Sequence, residues 1–133
     1  MSIKIKLQAA LDAKSSCDNL SKLSFSAKTS FKLVKLKKEL EIISQSFDEV
    51  KKVTIEKYAE KDEKNEVKVS YLEDGQSFIT IAPEYRIKCS EEINEALVQE
   101  IEISDIYFNL EDFGEEKISA EDLLGIEPFI IMD

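Results

Sequence analysis

Apolar residues recur at three- and four-residue steps over a longer stretch of this chain than any other pattern covers. Between Ser26 and Glu60, the residues Leu33, Leu36, Leu40, Ile43, Phe47 and Val50 follow at 3-4-3-4-3 spacing, and Thr54 continues the register. That is a heptad seam, and it predicts one long helix with an apolar edge suited to a partner helix. Phe31, Val34, Ile42 and Val53 make a second, weaker row, expected to widen the stripe into a core-facing surface. At about 1.5 Å per residue such a helix is about 50 Å long, more than the roughly 35 Å breadth of a compact domain of this size. It therefore protrudes, bends, or is covered in part by another chain.

The segments on either side switch between the two periods. Ile3, Ile5 and Leu7 alternate with Lys4 and Lys6, which predicts a short strand. From Gln8, the residues Ala10, Ala13, Cys17 and Leu20 return to helical spacing. This narrow seam of small side chains lets a second helix come close, so the first helix is a natural partner for the long one. The serine-rich stretch Ser21 to Ser26 connects them, with Ser24 or Ser26 as N-cap. After the polar run Glu60 to Glu66, Val67, Val69 and Tyr71 alternate, Asp74-Gly75 supplies a turn, and Phe78, Ile79 and Ile81 return. A two-residue loop would place Tyr71 opposite Phe78, and a three-residue loop opposite Ile79. Pro83 is expected to close that strand.

Ser90-Glu91-Glu92 predicts the start of a helix running to about Gln99. Ile101, Ile103, Ile106, Phe108 and Leu110 predict extended chain with a phase slip near Ser104-Asp105. Ser119-x-x-Asp122 resembles a capping box, and the apolar run Leu123 to Met132 is expected to dock. The whole is expected to be α+β in a single domain of residues 1–133. A long antiparallel helical hairpin over 8–60 would pack on a small, mainly antiparallel sheet built from Val67–Ile81 and Ile101–Leu110. Residues 61–133 would form an acidic α+β part.

Composition sharpens this mainly through what is missing. The chain has no histidine, which removes Ser-His and Cys-His nucleophile pairs and nearly every zinc site. Its three glycines, Gly75, Gly114 and Gly125, form no phosphate-binding loop. Arg86 is its single arginine, which argues against a phosphate clamp and against nucleic-acid binding. No catalytic residue, metal ligand or cofactor site is expected. Cys17 and Cys89 are expected to be unpaired, small buried side chains. No run is apolar enough to span a membrane and no signal-peptide core opens the chain, so a cytosolic site, or assembly there into something larger, is expected.

Net charge divides the chain. Residues 1–58 carry 12 Lys against 7 Asp+Glu, a net +5, and residues 59–133 carry 6 Lys+Arg against 21 Asp+Glu, a net −15. Such asymmetry predicts electrostatic pairing, either within the molecule or head-to-tail between copies.

Four pieces in this order carry a resemblance. A Lys/Glu-rich helix ends in Glu56-Lys57-Tyr58-Ala59-Glu60-Lys61-Asp62-Glu63, an acidic helix follows, an Ile/Glu strand lies near Ile101 to Ile106, and Ser119-Ala-Glu-Asp-Leu-Leu-Gly-Ile-Glu-Pro-Phe-Ile comes last. From about Ser26 onward this resembles a family of short tailed-bacteriophage and prophage proteins of unassigned function, encoded among tail and lysis genes. Ala59 stands where that family commonly has glycine. The resemblance implies phage origin and brings no catalytic residues. It implies a virion or virion-assembly (tail, neck or accessory) component, located in the virion or the host-cell cytoplasm.

Four features are candidate sites. Glu91, Glu92 and Glu95 read more simply as a solvated helix start than as a metal or acid–base cluster. Lys32, Lys35, Lys37 and Lys38 read as the wet side of a helix. The acidic second half, with Tyr107, Phe108, Phe113 and Phe129, leaves open a small acidic inhibitor of a host defence or DNA-binding protein. The seam itself (Leu33, Leu36, Leu40, Ile43, Phe47 and Val50) is the candidate interaction surface. Either it packs on this chain's own first helix, or it joins copies into a homo-oligomer or meets other phage structural proteins.

Overall fold

The computed structural model describes residues 2–131. It is an α+β protein with one long helix and two small antiparallel sheets. In chain order the elements are strand β1 (Ser2–Lys6), helices α1 (Leu7–Leu20) and α2 (Ala27–Tyr58), strands β2 (Val69–Tyr71) and β3 (Ser77–Ile79), helix α3 (Arg86–Leu97), strand β4 (Glu100–Ser104) and helix α4 (Ala120–Gly125). Short 3-10 turns occupy Pro83–Tyr85, Leu110–Phe113 and Glu127–Phe129. The chain divides into two compact units, Met1–Gln45 with Val98–Asp133, and Ser46–Leu97. That boundary differs from the division at residue 60 read from charge and periodicity.

In the first unit β1 pairs with β4, so the expected single sheet joining Ile101–Leu110 to the hairpin strands is replaced by two separate ones. The reason is in the register. Ile3 lies opposite Ile103 and Ile5 opposite Ile101, while Lys4 faces Glu102 and Lys6 faces Glu100. One face is apolar on both strands and the other matches opposite charges, and a slip of one residue would lose both. The isoleucines pack on a buried cluster containing Ala10, Ala13, Cys17 and Leu20 of α1 and Leu33, Leu36 and Leu40 of α2. Ser26 Oγ accepts from the Thr29 N–H at 3.3 Å, capping α2 as the sequence predicts.

The last thirty residues close this core. After the slip that follows β4, Ile106 and Phe108 are buried, and Phe108 exchanges backbone hydrogen bonds with Phe129 and Ile131. Ser119 caps α4 by accepting from the Asp122 N–H at 3.1 Å. Ile126 and Phe129 are fully buried, so the C-terminal run docks as expected, although Met132 lies outside the described residues. Gly125 explains how α4 approaches α1: a Cβ there would stand 1.9 Å from Ser16 Oγ and 3.1 Å from the Asp12 carbonyl oxygen. Only glycine fits.

In the second unit, α2 ends at Tyr58 and the chain makes two successive turns of one kind. Asp62 N–H donates to the Glu66 carbonyl and Asn65 N–H to the Asp62 carbonyl; Leu72 N–H and Gly75 N–H repeat the pattern with Gln76 and Leu72. Each turn is a three-residue loop whose third residue has positive φ, +63° at Asn65 and +88° at Gly75. The second loop sets Tyr71 opposite Ser77, neither of the registers expected, because the three-residue loop covers residues 73–75, with Gly75 as its last residue and not its centre. At the open end, Ala59 bridges Ile81 while Lys61 bridges Val67. Each of the three extended segments is thus bonded to both others.

α3 starts at Arg86 rather than Ser90. Pro83, expected only to close a strand, opens the 3-10 turn that leads into the helix, where its fixed φ and missing N–H carry no penalty. Glu91, Glu92 and Glu95 therefore lie inside α3 and not in a first turn, so the helix dipole does not explain them.

Candidate interaction surface

The heptad seam is not one surface. Leu33, Leu36 and Leu40 are at most 2% exposed and lie inside the core shared with α1. Ile43 is partly buried and packs on that cluster, Phe47 is half-buried, and Val50 is 53% exposed. The first three are committed to this chain, and no partner reaches them without opening the core. The second apolar row does not widen the stripe as expected. Phe31, Ile42 and Val53 are 71%, 65% and 65% exposed, and Val34 is 47% exposed. At about 100° per residue Phe31 and Ile42 lie roughly opposite Leu40 on the helix. That angle is legible in the sequence, and it separates the rows.

The lysines and aromatics also divide between core and surface. Lys32 Nζ donates to the Tyr107 carbonyl at 2.9 Å and to Asp112 Oδ2 at 3.3 Å, and stands 5.6 Å from the centre of the Phe108 ring. Asp112 is held below the usual carboxylate range, first by the Asn109 N–H donating to it and then by Lys32. Lys37 pairs with Asp18 at 3.5 Å. Lys35 and Lys38 are exposed. Of the four aromatics that gave the acidic half its inhibitor reading, Phe108, Phe113 and Phe129 are buried and only Tyr107 is exposed. Phe113 stacks on Phe108 and meets Phe25 edge-on, with centroids 5.6 Å from each.

Charge asymmetry is answered within the first unit. Residues 1–45 carry 9 Lys against 4 Asp+Glu, and residues 98–133 carry 1 Lys against 11 Asp+Glu. The fold sets these segments side by side, with Lys32–Asp112 at 3.3 Å and Lys4–Glu102 at 4.0 Å. Of the two pairings the asymmetry predicts, the one within the molecule is formed.

One polar cluster was not foreseen. Tyr58 Oη donates to Glu92 Oε1 at 2.5 Å, Lys57 Nζ donates to the same oxygen at 3.2 Å, and the ammonium lies 4.9 Å from the Tyr58 ring centre. Tyr85 packs on Tyr58 at 5.4 Å. The Tyr58 hydroxyl, and then Lys57, hold the Glu92 carboxyl below its ordinary value. The hydrogen bond to Glu92 raises Tyr58, and Lys57 is raised first by Tyr58 and then by Glu92. One donor pair satisfies one carboxylate oxygen here, and the arrangement ties α3 to the last turn of α2. No sequence spacing links positions 58 and 92, so only the fold reveals it.

Both thiols are free and buried, and burial pushes Cys17 up to about 12, where the thiolate needed for nucleophilic or redox work is scarce. Among the described residues no three Cys, Asp or Glu side chains converge as ligands for a metal ion. No helix among them is long and apolar enough to cross a membrane. Two grooves are open in the first unit: about 760 Å³ between α1 and α4, lined by Asp12, Ser16, Asn19 and Asp122, and about 660 Å³ beside Phe25 and Phe113. No protein-family model, curated protein or solved structure matches this chain.

Proposed function

We propose that this is a non-catalytic bacteriophage protein that acts through protein–protein contacts, as a component of the virion or of its assembly. The observation that carries the reading is the row of large apolar side chains left in solvent on α2: Phe31, Ile42 and Val53, each at least 65% exposed. Scattered apolar residues on a surface are ordinary. These three share one face of one helix, where a partner can cover them together. The polar clusters support the same reading, because Lys32–Asp112 and Tyr58–Glu92 join segments of the chain to each other. Phage origin rests on the sequence resemblance around Glu56–Glu63 and Ser119–Ile130.

Mass spectrometry of purified particles of the encoding phage tests this. The chain is expected in the particle or in complexes that co-purify with tail or head proteins. Clean absence from both, with salt-sensitive capture of a host DNA-binding or defence protein, would replace this reading by the small acidic inhibitor.

A further inference from the structure

The exposed row on α2 has a charge pattern that is complementary to itself when the helix is reversed. Phe31, Ile42 and Val53 are spaced by eleven residues, close to three full turns, so successive members are about 16 Å apart and drift by only about 20°. All of them lie on one unbroken helix, so their order and common face follow from the helical repeat alone. Around the row, the N-terminal half carries Lys28, Lys35 and Lys38 and the C-terminal half carries Glu49 and Glu56. None of these five is in an ion pair among the described residues. Two charges run against this pattern: Lys52 in the acidic half lies about 80° off the row, and Glu39 in the basic half lies about 60° off it, where its Oε1 accepts from the Ser104 N–H.

We propose that this face of α2 is a docking surface for the same face of a second copy, antiparallel, with the two-fold axis at Ile42. Reversal about Ile42 sets each position against the one equally far on its other side. Ile42 meets Ile42 of the second copy, Phe31 comes level with Val53, Lys35 with Glu49, and Lys28 with Glu56. A parallel, in-register pair would set lysine beside lysine and glutamate beside glutamate, so like charges select the antiparallel arrangement. Every contact away from the axis occurs twice, and the Ile42 pair on the axis once, as an isologous interface requires. The surface lies opposite the buried half of the heptad seam, so pairing leaves the core of each copy closed.

This deepens the proposed function by naming a second copy as one partner. It is tested on the purified chain alone, so its failure leaves the particle experiment standing. Sedimentation over a concentration series should show a monomer–dimer equilibrium. Ile42→Asp places a charge against its own symmetry mate and should weaken the dimer about a hundredfold. Lys35→Glu and Glu49→Lys should each weaken it about tenfold, and the double swap should restore it. All three positions are exposed, so thermal unfolding of the variants should match the parent and show that they are folded. A monomer at every concentration would overturn the proposal. So would a dimer indifferent to Ile42→Asp, or a double swap no better than its singles.

Discussion

Apolar burial holds together the unit formed by residues 1–45 and 98–133, whereas the unit formed by residues 46–97 has almost none. In the first, Leu20, Leu36, Phe108, Ile126 and Phe129 are completely buried and Leu33, Leu40 and Ile103 nearly so. In the second, only Tyr58, Ala59 and Cys89 are buried apolar residues, while Val69, Tyr71, Leu72, Phe78 and Ile87 stand in solvent. At about 25 cal/mol per Å² of apolar area removed from water, the first unit has a driving force that the second lacks. What the second has is directional: two hydrogen-bonded turns, three mutually bridged segments, and one carboxylate held by a phenol and an ammonium. Non-directional burial tolerates local change poorly but globally sets stability. Directional contacts set local order, and they answer to pH and to backbone conformation.

The largest test of that contrast lies along α2 itself. Leu36→Ala, at a fully buried position, should cost about 2–5 kcal/mol in chemical denaturation, the loss of transfer free energy plus a cavity. Val50→Ala, on the same seam but 53% exposed, should stay within about 0.5 kcal/mol. Equal losses would mean that the distal seam is as covered as the proximal one. Next, Gly125→Ala should cost about 1–3 kcal/mol by overpacking α4 on α1. Ser16→Gly in the same chain should return part of that loss, because Ser16 Oγ is the atom the new methyl meets. No recovery would place the strain elsewhere.

A local, pH-dependent effect should mark the second unit. Glu92 is held below its free value in the fold, so the stability it brings is present above the ordinary carboxylate value and is lost as pH falls through the lowered one. Tyr58 and Lys57 are raised, so their share is complete below the ordinary phenol and ammonium values and is lost as pH rises through the raised ones. Hydrogen exchange of α3 amides should therefore quicken at both pH extremes. Glu92→Gln removes the charge behind the acid arm and behind the rise of Tyr58, so it should flatten the acid arm and weaken the alkaline one, while amides of α1 stay unchanged. An acid response in α3 that survives Glu92→Gln would detach it from this cluster.

How much of this was legible depends on the range of the signal. Period alone located α1, α2, β1 and the slip after Ser104, because each follows from neighbours a few residues apart. It did not say what covers the seam, since the core of α2 is completed by residues some seventy positions away, such as Phe108. Lysine alternation in β1 and glutamate alternation in β4 were each visible, yet their mutual register is a tertiary fact. The same distance hid Tyr58–Glu92. The start of α3 was misplaced for a different reason: Ser90 and its acids form a local capping pattern, and Pro83 outcompeted it with a fixed φ in the right place. The interaction surface was the costliest miss, because counting the second apolar row as part of the first ignored the angle between them.

The first of the two turns in the second unit was missed as well, and the smallest expected effect explains why. Both loops need a third residue in the left-handed region, where a side chain with Cβ costs about 1–2 kcal/mol and asparagine is one of the few residues that visit it routinely. Gly75 announces its turn, whereas Asn65 sits in the polar run Glu60–Glu66 and reads as a helix end. If the two loops are alike, their third residues should be interchangeable. Asn65→Gly and Gly75→Asn should each change stability by less than about 0.5 kcal/mol. Nothing lies within 4 Å of a Cβ built on Gly75, so Gly75→Ala reports the backbone term alone and should cost about 1–2 kcal/mol. Asn65→Ala should cost about the same, measured as faster exchange of the Glu66 and Gln76 amides in the respective variants. If Asn65→Ala were neutral while Gly75→Ala was not, the first loop would be held by Asp62, whose Oδ1 accepts from the Lys64 and Glu66 N–H groups, and the two turns would share a shape without sharing a cause.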